Sequence, residues 1–405
     1  MSADSQGSTL LMQTAAHASA PAAPRRRLVW LDVAKGLGIL WIVLFHAEIS
    51  VGRFDKAGAG LVHSAWANAL DVFFGLGIQG VTIFVAASGF ALTYAAMRHD
   101  KSVIGLAEYP SWLGKRLWQL LPLYWFAHIV MFVLYSIGSG AFKHASASLW
   151  LASFFGVNGW MPGWFGGIRS AWWFEGLIIQ LSILYPLLAW ALDRLSIRNF
   201  LVLAWGLTLL SRYVCVTYLY DWNVYLQYGV FSGCRLFEFA IGMAAAKYMW
   251  ERRSPMRLWV VSALSVAALA GYLATTAHKP QTWIGRYVFL PTLASASICI
   301  LAWLVSSALA RVKYLSGALV WCGVMTYPIF LMHGLASEAQ IGIALKAGIS
   351  LTAAAALALM LSGVAQGFIF KKAADATLIV WRALFGATSG AAGRAHASAA
   401  GERQS

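Results

Sequence analysis

Residues 28–50 read LVWLDVAKGLGILWIVLFHAEIS, an apolar run long enough for one helix to cross a bilayer, with Asp32 and Lys35 near its start and His46 near its end. Similar runs recur along the chain, at roughly 68–97, 117–137, 171–192, 199–219, 231–250, 258–277, 287–309, 318–337 and 349–370. Short charged or Gly/Pro-containing stretches separate them. Such continuous runs predict an all-α, polytopic transmembrane helical bundle of about ten spans. A transmembrane β-barrel would show short alternating segments instead, and Leu351 to Phe370 is continuous.

Composition agrees. Of 405 residues, 60% are hydrophobic and 11% charged, far from the roughly half-apolar, quarter-charged balance of a soluble domain. A net charge of +15 could suggest nucleic acid, but the basic residues gather at the ends of apolar runs, where they set orientation. No nucleic-acid partner is expected. With the amino terminus inside, the cytoplasmic loops hold Arg25, Arg26, Arg27, Arg98, Lys101, Lys115, Arg116, Arg194, Arg198, Arg252, Arg253, Arg257, Arg311, Lys313, Lys371 and Lys372. The opposite loops hold only Arg53, Lys56, Lys143, Arg169, Lys279, Arg286 and Lys346. Sixteen against seven is a positive-inside bias, and it predicts an even number of spans with both termini cytoplasmic.

Residues 1–24, rich in Ala, Ser and Pro, and residues 387–405, small and polar, read as disordered tails around a membrane domain at 25–386. The four cysteines, Cys215, Cys234, Cys299 and Cys322, fall in or beside apolar runs without paired spacing for zinc or a redox centre, and read as buried filler; no metal is expected. The longest external loop, about 138–170, carries Phe154, Phe155, Trp160, Trp164 and Phe165 among glycines. Such aromatics suit the apolar faces of sugars and suit an interfacial belt equally well.

Ionisable groups at membrane depth are expensive unless paired or facing water, so each is a functional candidate. Lys35 and His46 are eleven residues apart, which puts them on one helix face and roughly 16 Å apart along the axis, with Asp32 close to that face. An imidazole can take and return a proton near neutral pH, whereas a lysine offers a fixed charge to phosphate or carboxylate. The same pattern also fits an Asp32–Lys35 interfacial pair with His46 bonded to a neighbouring helix. In the sixth span Arg235 and Glu238 are one turn apart and can pair, and Gly242 completes that face. The ninth span ends Tyr327-Pro328-Ile329-Phe330-Leu331-Met332-His333, where Pro328 is expected to open the helix locally. Glu175 opens the fourth span and Arg212 lies in the fifth; both read more readily as structural. There is no phosphate loop, HExxH or nucleophile elbow.

Taken in order, these segments resemble the membrane acyltransferase 3 family, bacterial proteins that modify sugars and cell-surface glycans with acetyl or other acyl groups. The resemblance rests on Lys35 and His46 in the first span, Phe84-x-x-x-Ser88-Gly89-Phe90 in the second, and Lys115-Arg116 leading to Pro122-x-Tyr124 in the third. Arg235-x-x-Glu238-Phe239-x-x-Gly242 in the sixth and Tyr327 to His333 in the ninth complete it. Two departures stand out. The family's usual arginine is Lys35 here, which keeps charge but loses bidentate geometry. In the fourth span Trp173, Gln180 and Pro186 match, but Ile178 and Ile179 occupy the acidic places, with Glu175 one turn earlier.

The resemblance implies a multi-pass protein of the bacterial inner membrane that moves an acyl group, acetyl first among them, from cytoplasmic acyl-CoA to a hydroxyl of a sugar or surface glycan. It implies His46 as general base or acyl carrier and Lys35, Lys115 and Arg116 as partners of the CoA phosphates. Asp32, Arg235, Glu238, His333 and Glu175 are further cavity candidates, and membrane lipid is the surrounding partner. A glycan or lipid-linked sugar exporter, with no chemistry, is the competing expectation, and a membrane scaffold a third.

Overall fold

A computed structural model describes residues 27–54, 73, 76–99, 103–137, 146–164, 168–251, 284–335, 340–341, 343, 346–347 and 353–401. Among these residues every regular element is helical. The long elements are α1 (Val29–Phe54), α2 (Gly80–Arg98), α3 (Tyr109–Ile137), the short α4 (Ala147–Phe154), α5 (Trp173–Arg194), α6 (Ile197–Tyr218) and α7 (Leu236–Trp250). They are followed by α8 (Leu290–Leu309), α9 (Lys313–Val324), α10 (Thr326–Met332) and α11 (Ala353–Gly401). Among the described residues eight helices are long and apolar enough to cross a membrane, and α9 with α10 forms a ninth, bent candidate. The protein is thus a polytopic helical bundle. The expected span at 258–277, the tail at 1–24 and the Phe165 position lie outside the described residues. Helix α11 continues past the 386 boundary read from sequence as far as Gly401, an alanine-rich stretch with strong intrinsic helical preference.

Local chemistry explains the joints. Ser196 caps α6 by accepting the Asn199 N–H at 3.2 Å, which lets the chain reverse from α5 across Leu195 and Ser196 alone. The expected disturbance at Pro328 appears as a 62° bend, placed between Val324 and Thr326. A proline ring clashes with the carbonyl four residues earlier, here Val324, the last residue of α9. Breaking at Met325 leaves Pro328 in the first turn of α10, where its missing N–H has no partner to lose. The Thr326 hydroxyl donates to the freed Gly323 carbonyl at 2.8 Å.

In lipid, helices associate through close packing, and glycine carries that packing here. Helix α2 lies along α7, and α1 along α9. At the α2–α7 crossing, a Cβ on Gly89 would stand 2.2 Å from the Phe239 carbonyl oxygen, and one on Gly242 would stand 1.9 Å from that of Ala86. At the α1–α9 crossing, Gly36 meets the Leu319 carbonyl and Gly323 that of Asp32, at 2.1 and 2.0 Å by the same measure. Around these crossings Ile39, Val85, Tyr124, Leu177, Leu181, Phe239 and Ile329 form one buried apolar core.

Because backbone cannot yield to a side chain there, Gly242→Leu is expected to destabilise the bundle by at least the ~1–3 kcal/mol typical of overpacking. Gly317→Leu, on an open face of α9, serves as control. Thermal unfolding of both variants in detergent should show a midpoint lowered by several degrees, or no folded protein, for the first alone. Equal midpoints would refute the backbone-contact account.

Candidate functional site

Helix α1 carries His46 to the far end of the short α10, where His333 follows Met332. The two imidazoles face each other with ring centroids 4.9 Å apart and planes tilted by 54°. Phe45 and Phe330 flank them, at 5.3 Å from His46 and 6.0 Å from His333. Two sequence candidates 287 residues apart in the chain thus form one pair.

His333 is buried, and its backbone ends a helix, so the carbonyls of the last turn need partners. Each has one. The His333 N–H donates to Ile329 O at 2.8 Å, and the His333 ring Nδ1 lies 2.7 Å from Phe330 O. The Trp172 indole N–H donates to Leu331 O at 3.1 Å, and the Leu335 N–H to Met332 O at 3.2 Å. Arg169 Nη2 donates to the carbonyl of His333 itself at 2.8 Å. A carbonyl only accepts, so Nδ1 of His333 bears a proton and, in the neutral ring, Nε2 is the basic atom.

The first turn of α5 meets α10, which brings a second polar cluster beside that helix. Phe174 packs on Phe330 at 5.3 Å and on Phe84 at 6.1 Å, and Glu175 sits beside Tyr327 and Arg116. Tyr327 precedes His333 by six residues, about 9 Å of helix rise. Glu175 is fully buried and its Oε1 makes no hydrogen bond. Arg116 turns inward from α3, reaching Ser88 Oγ and Ser182 Oγ at 3.4 Å each and Gln119 Oε1 at 3.5 Å. Tyr327 donates to Leu120 O at 2.9 Å. The Phe84–Phe90 segment therefore contributes a ring to the aromatic wall, a hydroxyl to Arg116 and a glycine to the α2–α7 crossing.

The other basic candidates are placed differently. Lys35 pairs with Asp32 at 2.8 Å, and Arg27, which the sequence did not single out, pairs with the same carboxylate at 2.7 Å. The expected pairing of Asp32 and Lys35 is therefore found, with Lys35 still one-third exposed. Lys115 is exposed, one residue from Arg116 but not turned inward with it.

Arg235 and Glu238 do pair, at 2.7 Å and buried, and they tie four elements together. Arg235 also donates to Tyr228 O at 2.8 and 3.2 Å and to Thr82 Oγ1 at 3.3 Å, while Ser295 Oγ donates to Glu238 Oε1 at 2.6 Å. Gly229, at φ +121°, sits against this guanidinium, where a Cβ would stand 2.4 Å from Nε. Arg212 is likewise buried, held by the carbonyls of Cys234, Gln227 and Tyr287. Gln180 stitches α5 to the segment before α7, donating to Val230 O at 2.9 Å and accepting the Ser232 N–H at 3.1 Å.

Two residues near the site carry no strong sequence signal. Arg169 reads as one loop cation among several, and only the path of the chain into α5 brings it to His333. His128 is buried against Trp172 at 4.5 Å, with Nδ1 3.0 Å from Tyr124 O and Nε2 3.0 Å from Ser153 Oγ, so both nitrogens are engaged in packing contacts. Among the described residues no three His, Cys, Asp or Glu side chains gather as metal ligands.

The sequence model of one protein family, described as an acyltransferase domain, matches residues 28–372, from the start of α1 into α11. No curated protein and no solved structure matches the chain.

Removing one partner of a buried ion pair strands the other charge, at about 3–5 kcal/mol. Glu238→Ala should therefore lower the unfolding midpoint of the detergent-solubilised protein by many degrees, whereas Asp32→Ala, at a part-exposed pair, should lower it little. Comparable losses in both would contradict the structural weight given to the α7 pair.

Proposed function

The chain belongs to the acyltransferase 3 family, and from that premise we propose that it moves an acyl group, most simply acetyl, from cytoplasmic acyl-CoA to a hydroxyl of a sugar or cell-surface glycan at the far face of the membrane. It is a multi-pass membrane acyltransferase; the donor, the acceptor and the site chemistry are the proposal. The single observation that carries it is the contact of His46 with His333 at one end of a polar line that leads through Glu175 and Tyr327 to Arg116.

In this reading Lys35, Lys115 and Arg116 receive the CoA phosphates at the inner end, with Arg116 the deepest of the three. The rise of α1 from Lys35 to His46, roughly 16 Å, is comparable with an extended pantetheine arm, so the thioester reaches the imidazoles. His46 takes the proton of the acceptor hydroxyl as that oxygen attacks the thioester carbonyl. An ester C–O bond forms, the C–S bond breaks, and the proton passes to the departing thiolate. His333 supports His46 from a fixed position, since its Nδ1 proton is held by Phe330 O and its backbone by Arg169. An acylated His46 is the alternative first step, with the same residues in the same places.

For the acceptor, α4 and Arg169 lie toward the same end of the bundle as the histidines, α4 by way of His128 and Trp172 and Arg169 through the His333 carbonyl. Phe155 is exposed there, while Phe154 stacks on Trp125 and Trp160 packs against Phe231, so among the described aromatics of that group Phe155 is the most open to a sugar face.

His46→Ala is expected to lower acyl transfer by roughly 10²–10⁴-fold with insertion unchanged. His333→Ala should fall in a similar range, and the double variant should lose little more than either single one, because the pair acts as a unit. Two measurements check this: consumption of labelled acetyl-CoA by the purified protein, and the acyl content of surface glycans by mass spectrometry. An exporter would consume no acyl-CoA. Undiminished acylation by His46→Ala would sink the assignment.

A further inference from the structure

Cys215 and Cys234 are nineteen residues apart in sequence, a spacing that matches no thiol motif, yet the fold brings their sulfur atoms to 3.7 Å. Cys215 lies in the last turn of α6, and Cys234 lies immediately before α7. Both are buried, free thiols in a small apolar cluster with Leu226 and Val230. The filler role read from sequence does not account for the contact. Two filler sulfurs have no need to meet, and the other two cysteines, Cys299 and Cys322, have no such neighbour among the described residues.

The segment between the pair does specific work. It supplies Tyr228 O to Arg235 and Gln227 O to Arg212, and Cys234 itself supplies its carbonyl to Arg212. Asn223 within it accepts the Tyr225 N–H and donates to Gly159 O at 2.9 Å, anchoring it to the segment after α4. Two buried guanidinium groups therefore depend on where this loop sits. A link between its two ends would hold it.

We propose that Cys215 and Cys234 form a disulfide in the mature protein, clasping the 215–234 loop around Arg212 and Arg235. The charge bias along the chain puts the α6–α7 connection on the non-cytoplasmic side, where compartments favour disulfides. The inference goes beyond the acyl-transfer reading and rests on this orientation, which the charge bias supplies independently of that reading. In the reaction two S–H bonds break and one S–S bond forms. The two protons and two electrons pass to a disulfide of a protein oxidant in that compartment, which is reduced to its dithiol. Exchange takes place while the chain is folding, before the pair is buried.

Trypsin cleaves after Arg212 and Arg235, so residues 213–235 leave as one peptide that contains both cysteines. Full-length protein from membranes is denatured, alkylated without reductant, digested and weighed. The expected peptide is two hydrogens lighter than the dithiol and carries no alkyl group, and it takes up two groups only after reduction. Cys299 and Cys322 should be alkylated throughout. A 213–235 peptide carrying two alkyl groups without reductant overturns the proposal. Reductant should also lower the unfolding midpoint of the wild type by several degrees and leave C215S/C234S unmoved; a wild type that melts alike in both states overturns the clasp. Protease access to the carboxyl-terminal tail in sealed vesicles reads orientation separately. A dithiol beside a cytoplasmic tail thus rejects the disulfide and leaves the orientation standing.

Discussion

The bundle depends on the place where α2 and α7 touch backbone to backbone. Gly89 lies on the Phe239 carbonyl and Gly242 on that of Ala86, each in space that no Cβ could share. In lipid there is no water to expel from between apolar helices, so close approach has to supply the attraction. The residues beside these glycines then have their positions set. Ser88 is delivered to Arg116, Phe90 to Trp30 at 5.1 Å, and Glu238 to both Arg235 and Ser295.

The histidine pair depends on how the chain ends α10. Carbonyls freed at a helix end inside a membrane cost several kcal/mol each unless satisfied. Pro328 forces the break at Met325 and makes α10 short, which puts its carboxyl end within the bundle. Trp172 and Arg169 meet the exposed carbonyls, and the His333 ring meets another. Satisfying the backbone and orienting the imidazole are therefore one arrangement. Gly334, at φ +75°, turns the chain away directly afterwards, in a backbone region that suits glycine.

Buried cations are kept by saturation. Arg212 has three carbonyl partners, and Arg235 has a carboxylate, a hydroxyl and a carbonyl. Groups so fully engaged have little left to offer a ligand, which fits a role in holding α2, α6, α7 and α8 together. Glu175 contrasts with them, since one of its oxygens is unpartnered although the side chain is buried. It stands beside Arg116 and Tyr327, one turn before Ile178 and Ile179 in the fourth span.

The sequence by itself determined the helical membrane class, most span positions, the family and the Arg235–Glu238 pair. The class, the spans and the pair follow from local quantities, namely run length, charge at run ends and residues one turn apart, whereas the family follows from the resemblance of motifs taken in order. It also marked His46, Lys35 and His333 as out of place in lipid. Only the tertiary structure decided that His46 meets His333, that Arg169 reaches the same carbonyl end, that Arg116 turns inward while Lys115 does not, and that Cys215 touches Cys234. Those contacts join residues far apart in the chain. They are set by which glycine faces permit two backbones to meet and by where a proline breaks a helix, and neither has a fixed spacing that a sequence can display.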